Sequence, residues 1–289
     1  MNFTKTLVAA ALLVGATSAN AELIGGFFNN DGSSELFLQV YNPNFVNPDA
    51  TLGATFNFDT NVSFNQLRAV ATSGDFSALN SLLSISLASD ANFQTFIAQN
   101  NAGPVKYYLG VGTNSPGDVN VGVFETLTTP APQIDGNDPT VIPNAAADNI
   151  QLRAAGVAIG LGSNQSAIIP NTPVNPFRGQ ANEGSFSLDN AINTFPGVQG
   201  ATQFGNSIDF RYVFGRNRTF IDPLFGDEVT TITFNAAEDQ LLLGQFTLTA
   251  QGLSFTAEGG QTAVPLPAAV WMFGAGLMGV LRLNRRKAA

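Results

Sequence analysis

The chain has 289 residues with no Cys and no His, 21 acidic against 12 basic residues, and a net charge of −9. Without His or Cys there can be no Ser-His-Asp or Cys-His nucleophilic machinery and no Cys/His zinc site. Acidic excess also disfavours nucleic acid, whose phosphates need Lys and Arg clusters, and docking on anionic lipid.

An enzyme of this composition would have to use carboxylates, Lys106, Tyr, or Ser and Thr with another base; the expectation is that the protein is not an enzyme. Phe dominates the aromatics, with 24 against four Tyr and one Trp. Phe adds apolar area without a polar tip, so most of it should be core. The single Trp271 lies near the C-terminal end, which leaves the body without the aromatic platform common in sugar-binding faces.

The N-terminus starts with one cation, Lys5, followed by an apolar run from Leu7 to Val14 and small residues ending Ala19-Asn20-Ala21. This order is that of a secretory signal peptide spanning 1–21, with Ala19 and Ala21 at the cleavage site and the mature chain starting near Glu22.

The body, 22–263, alternates with period two in several places. Leu36, Leu38 and Val40 share one face of "ELFLQVY". Phe56 and Phe58 alternate with Thr55, Asn57 and Asp59. "SIDFRYVF" sets Ile208, Phe210, Tyr212 and Phe214 against Asp209 and Arg211, and "TTITF" aligns Ile232 with Phe234. "GQFTLTAQGLSFT" reads as a hairpin turning at Gln251-Gly252, with Phe246 and Leu248 facing Leu253 and Phe255. One-sided strands of this kind suit an antiparallel sheet with one buried face.

Helices are fewer. Asp90 can cap one carrying Phe93, Phe96 and Ile97; others are expected near Phe76–Leu83 and Ala145–Val157. The stretches 129–144 and 162–184 are loops rich in Pro, Gly and Asn. The expected fold is mainly β: an antiparallel β-sandwich with a few short helices, in one domain.

Three sets of residues could carry chemistry in the body. Asp135, Asn137 and Asp138 of "DGNDP" offer three oxygen donors for Ca²⁺, and they are equally the residues any turn prefers. No other cofactor is expected. The neighbouring acids Asp227-Glu228 and Glu238-Asp239 are expected as solvated loop charge, because sequence neighbours on a strand face opposite ways and cannot form a glycosidase dyad. Arg211, Arg216 and Arg218 could grip an acidic sugar by bidentate contacts, or "GRNR" could be a hairpin tip.

The tail runs without charge for 14 residues from Ala268 to Leu281, or 18 counted from Val264. A spanning helix needs roughly 17–25 residues, and Arg282 can snorkel to the headgroups. Arg282, Arg285, Arg286 and Lys287 would stay cytoplasmic, leaving the body outside.

The order Val264-Pro265-Leu266-Pro267-Ala268, an apolar helix with Gly274, Gly276 and Gly279, then Arg285-Arg286-Lys287 resembles the PEP-CTERM sorting signal in its VPLPA variant. The body, with "DANFQTFIAQN" before "VKYYLGVG" and a closing "FTLTAQGLSFT", is similar to other exported proteins of that type. The resemblance implies an exosortase substrate of a Gram-negative bacterium. It would be held briefly at the inner membrane by 264–289, cut near the proline motif, and delivered to the cell surface or an exopolysaccharide matrix. It implies no activity. Two alternatives remain open: an exopolysaccharide-binding module, and a carboxylate-based glycoside hydrolase.

Overall fold

A computed structural model describes residues 34–99, 105–113, 122–131, 164–170, 200–221 and 225–259. In chain order the strands are β1 (Glu35–Val46), β2 (Leu52–Ser63), β3 (Ile85–Ser86), β4 (Lys106–Thr113), β5 (Gly122–Leu127), β6 (Ser166–Pro170), β7 (Thr202–Gln203), β8 (Ser207–Phe214), β9 (Arg216–Ile221), β10 (Glu228–Thr233), β11 (Gln240–Thr249) and β12 (Gly252–Ala257). The helices are α1 (Phe64–Ser73), α2 (Leu79–Leu82) and α3 (Ala91–Ala98), with a 3-10 turn at Phe76–Ala78 before α2.

The described strands are mainly one antiparallel sheet, ordered β3-β12-β11-β8-β5-β4-β1-β2-β6, with β7 added against β4. The antiparallel β class expected from the alternation is therefore present. The strands form one continuous hydrogen-bonded path, curled on itself. A separate two-stranded ribbon, β9–β10, projects from it.

Helix α3 shows the curl. Asn92 Nδ2 donates to the Ser166 carbonyl of β6 at 3.0 Å, and Gln94 Nε2 donates to the Ala250 carbonyl in the β11–β12 turn, also at 3.0 Å. In a flat sheet β12 and β6 would lie seven strand spacings apart, about 34 Å, whereas an eight-residue helix is only about 12 Å long.

One face of the sheet lines the core. Leu36, Leu38 and Val40 lie beside Ala54 and Phe56, Tyr107 and Leu109, Phe124, then Phe210, Phe246 and Phe255, all buried. Helices α1 and α3 cover them with Phe64, Leu67, Phe93 and Phe96. Phe96 stacks on Phe45 at 5.0 Å, and Phe93 tilts onto Phe56 at 5.1 Å. Asp90 caps α3 as its sequence suggests, accepting from the Phe93 N–H at 2.8 Å.

Helix α1 is not among the helices expected from the sequence, although its buried residues Phe64, Leu67, Val70 and Ala71 recur at helical spacing. Its ends are marked locally too: Ser63 and Gln66 form a reciprocal capping box, and Gly74 closes the helix in the left-handed conformation.

The expectation of a single buried face is corrected. Every residue of β5 is buried, as are the first eight of β1. On the second face Phe37, Gln39, Asn57, Tyr108 and Glu125 are all fully buried. Polar residues tolerate this because they pair across strands: Gln39 donates to Asn57 Oδ1 at 3.0 Å, and the Tyr108 hydroxyl donates to Glu125 Oε2 at 3.5 Å.

Beyond the two residues paired with β3, the outer side of β12 is also covered. Its outward N–H groups at Phe255 and Ala257 donate to Ser84 Oγ and Asn80 Oδ1, side chains at and just after α2. An edge closed in this way cannot recruit another strand.

Candidate functional site

The chain leaves β8 through Gly215 and enters β9 with Arg216 and Arg218, two residues apart and so on one face. Opposite them the segment Asn235–Asp239 turns tightly. Asn235 Oδ1 accepts from the Ala237 N–H at 3.0 Å, and the Asn235 carbonyl accepts from the N–H groups of Glu238 and Asp239. The turn points the Asp239 carboxylate back inward, where it accepts from the Asn235 N–H at 2.6 Å.

Both arginines converge on that carboxylate. Arg218 binds it through two nitrogens, Nη1 to Oδ2 at 2.7 Å and Nη2 to Oδ1 at 3.0 Å, and Arg216 adds Nε to Oδ1 at 2.9 Å. The Asp239 side chain is fully buried. Arg218 also donates to the Thr233 carbonyl at 3.1 Å and to Glu238 Oε2 at 3.1 Å. The Asp239 hydrogen bonds, then those of Glu238, hold the Arg218 guanidinium above its already high pKa.

Behind this knot runs an aromatic column. Phe124 and Tyr212 stack at 4.2 Å, Tyr212 and Phe214 at 4.7 Å, and the Arg216 guanidinium carbon sits 5.1 Å from the Phe214 ring centroid. The stack follows from β geometry: Tyr212, Phe214 and Arg216 recur every second residue along one face.

A groove of about 350 Å³ opens at the outer end of the column, between α1 and the β8–β9 bend. Arg68, Thr72, Tyr212, Phe214, Arg216 and Asn217 line it. Arg68 makes no ion pair among the described residues. Burial pushes the Tyr212 phenol up to about 12, with the Arg68 charge pulling the other way.

These positions revise several expectations. Arg211, Arg216 and Arg218 do not form one site. Arg211 faces the other side of the sheet and is paired with Asp209 at 2.8 Å. Arg218 is committed to Asp239, and only Arg216 reaches the groove. "GRNR" is not a hairpin tip either, because Arg216 and Arg218 pair with Thr233 and Thr231 at the root of the ribbon.

Asp239 is not solvated loop charge. The Asn235 turn buries it, and the two arginines compensate it. Glu238, Asp227 and Glu228 are exposed, as expected. Arg68 escaped sequence analysis because its helix did; the Ser63–Gln66 box is the signal that would have located it.

Asp135, Asn137 and Asp138, the helix expected at 145–157, Ala19 and Ala21, the motif Val264–Ala268, and Arg282, Arg285, Arg286 and Lys287 all lie outside the described residues. Among the described residues there is no cluster of three metal-ligating side chains, and no helix is long and apolar enough to cross a membrane. Compared with family models, curated proteins and solved structures, the chain finds no match.

Proposed function

We propose that the protein is an exported, non-catalytic structural component of the cell surface or extracellular matrix. An exosortase-type protease would process it at its C-terminal signal. The observation that carries this is the sequence 264–289: a Val-Pro-Leu-Pro-Ala motif, an uncharged stretch and a basic end, in a chain that opens with a secretory-type leader. The cargo is the β-rich body. Burial of both sheet faces at β1 and β5 supports a two-layered body of the sandwich kind.

Mass spectrometry of the protein recovered from the host surface tests the proposal. A C-terminus near Val264 is expected, together with retention in the cell or altered release when 264–289 is deleted. An intact Ala289 and unchanged localisation after the deletion would refute it.

A second reading, an exopolysaccharide-binding module, is favoured by the groove that holds Arg68 and Arg216.

A further inference from the structure

We propose that the groove between α1 and the β8–β9 bend is a subsite for one uronate unit of an acidic polysaccharide, with Arg68 as the carboxylate anchor. The proposal rests on the second reading of function and is independent of how the chain is sorted.

The charge inventory selects the ligand. Arg216, Arg218, Glu238 and Asp239 form a closed set of two cations and two anions. Arg68 adds one positive charge that no described side chain compensates. The groove therefore presents a net single charge, suited to a monoanionic carboxylate and short of what a dianionic phosphate would need.

Arg216 contributes without being free. Its Nε serves Asp239, and its Nη2 donates to the Glu238 carbonyl at 3.2 Å. These bonds, and the Phe214 ring behind it, fix the guanidinium at the groove wall. A fixed guanidinium loses little freedom on binding, which is the advantage of a preorganised fork.

Size and lining point to a single sugar ring. About 350 Å³ is at the small end of ligand pockets, roughly 300–1,000 Å³. Ala71, Leu241 and the Phe214 edge give an apolar wall for the C–H face of a pyranose, while Thr72 and Asn217 offer a hydroxyl and an amide to its ring hydroxyls. Phe214 is already faced by Arg216, so charge anchors the sugar and aromatic stacking does not. The absence of Trp from the body is consistent with that division.

The test uses the full-length chain in mild detergent and follows binding by ligand-observed NMR. The probes are glucuronate, a glucuronate oligomer, glucose and acetate. Glucuronate and its oligomer should bind, more weakly as salt rises, while glucose and acetate should bind at least about tenfold more weakly, since each lacks one half of the recognition. Arg68→Gln should weaken glucuronate about tenfold or more, the loss expected for one charge-assisted pair. Its melting temperature should not move, because Arg68 has no ion pair to lose among the described residues. Arg68→Lys should fall in between.

Absence of uronate binding, an unchanged affinity in Arg68→Gln, or acetate binding as tightly as glucuronate would each overturn the proposal. Oligomer binding that survives Arg68→Gln would leave the glycan-binding reading intact and place its site elsewhere.

Discussion

Asn92 and Gln94 stand two residues apart on α3 and bond to opposite ends of the curled sheet. Asn92 holds Ser166 in β6, through both its carbonyl and its hydroxyl at 3.0 Å. Gln94 holds the carbonyls of Leu87 and Ala250, each at 3.0 Å. The helix is a clasp across the gap between β12 and β6, which no described strand closes.

Truncating the clasp should loosen both edges. Gln94→Ala removes the Ala250 carbonyl's side-chain donor and leaves the Leu87 carbonyl only the Asp90 N–H at 3.1 Å, and is expected to cost about 1–2 kcal/mol, with Asn92→Ala about 1 kcal/mol. Urea denaturation measures the loss, and hydrogen exchange should show β6 opening first in Asn92→Ala and the β11–β12 turn in Gln94→Ala.

Asp239 holds the ribbon root together. Asp239→Asn removes the anion shared by Arg216 and Arg218. Breaking a fully buried pair costs about 3–5 kcal/mol. Here the side chains of Arg216 and Arg218 are 52% and 30% exposed, so hydration softens the loss to about 2 kcal/mol. Glu238→Gln, at a side chain 59% exposed, should change stability by less than about 0.5 kcal/mol. Equal effects of the two substitutions in thermal denaturation would contradict this division.

Burial holds the Asp59 carboxyl above its ordinary value of 3.8, only partly offset by the Asn61 N–H. Its Oδ2 has no hydrogen-bond partner among the described residues and is shielded from solvent. An acid whose folded pKa is raised removes stability as pH climbs through the unfolded value, and the loss levels off above the folded value. Asp59→Asn should therefore be more stable than the parent at pH 7, with the advantage shrinking to nothing as pH falls below 3.8. Parallel melts of the two chains from pH 3 to 8 measure the difference. An advantage constant with pH would assign the effect to packing.

Two glycines separate backbone conformation from crowding. Gly252 has a φ of +133°, and a Cβ there would land on the Ile85 carbonyl oxygen of β3. Gly74 has a φ of +72° with open space around it. Gly252→Ala should cost about 2–4 kcal/mol, since fixed backbone must move, and Gly74→Ala about 1 kcal/mol, the left-handed penalty alone. Comparable losses in denaturant titration would show that β3 gives way easily.

Local signals in this sequence were legible wherever neighbours within a few residues decide the outcome. The alternation of Leu36, Leu38 and Val40, the Asp90 cap and the Phe246–Phe255 and Leu248–Leu253 hairpin pairs all follow from short-range geometry. The hairpin turn itself falls one residue earlier, at Ala250-Gln251, because Gly252 is needed as the first residue of β12 beside β3. Helix α1 is readable from the Ser63–Gln66 box together with the helical spacing of Phe64, Leu67, Val70 and Ala71, and the expected helices did not include it.

The arginines mark the limit. Residue type established that Arg211, Arg216 and Arg218 could bind a carboxylate, but whose carboxylate each would meet depends on segments brought together from far along the chain. Arg218 and Asp239 meet because the Asn235 turn lies across the root of the ribbon, and Arg211 is turned away by the pleat of β8.

By itself the sequence determined the chemistry this protein lacks, the faces of its strands and the caps of α1 and α3, since composition, a period of two and a capping side chain act over a few bonds. Only the tertiary structure decided the strand order, the clasp at α3, the burial of the second sheet face and the place of Arg68 in the groove beside Arg216. Those are set by how a curled sheet closes, and closure energy is shared among residues that no short window of sequence contains.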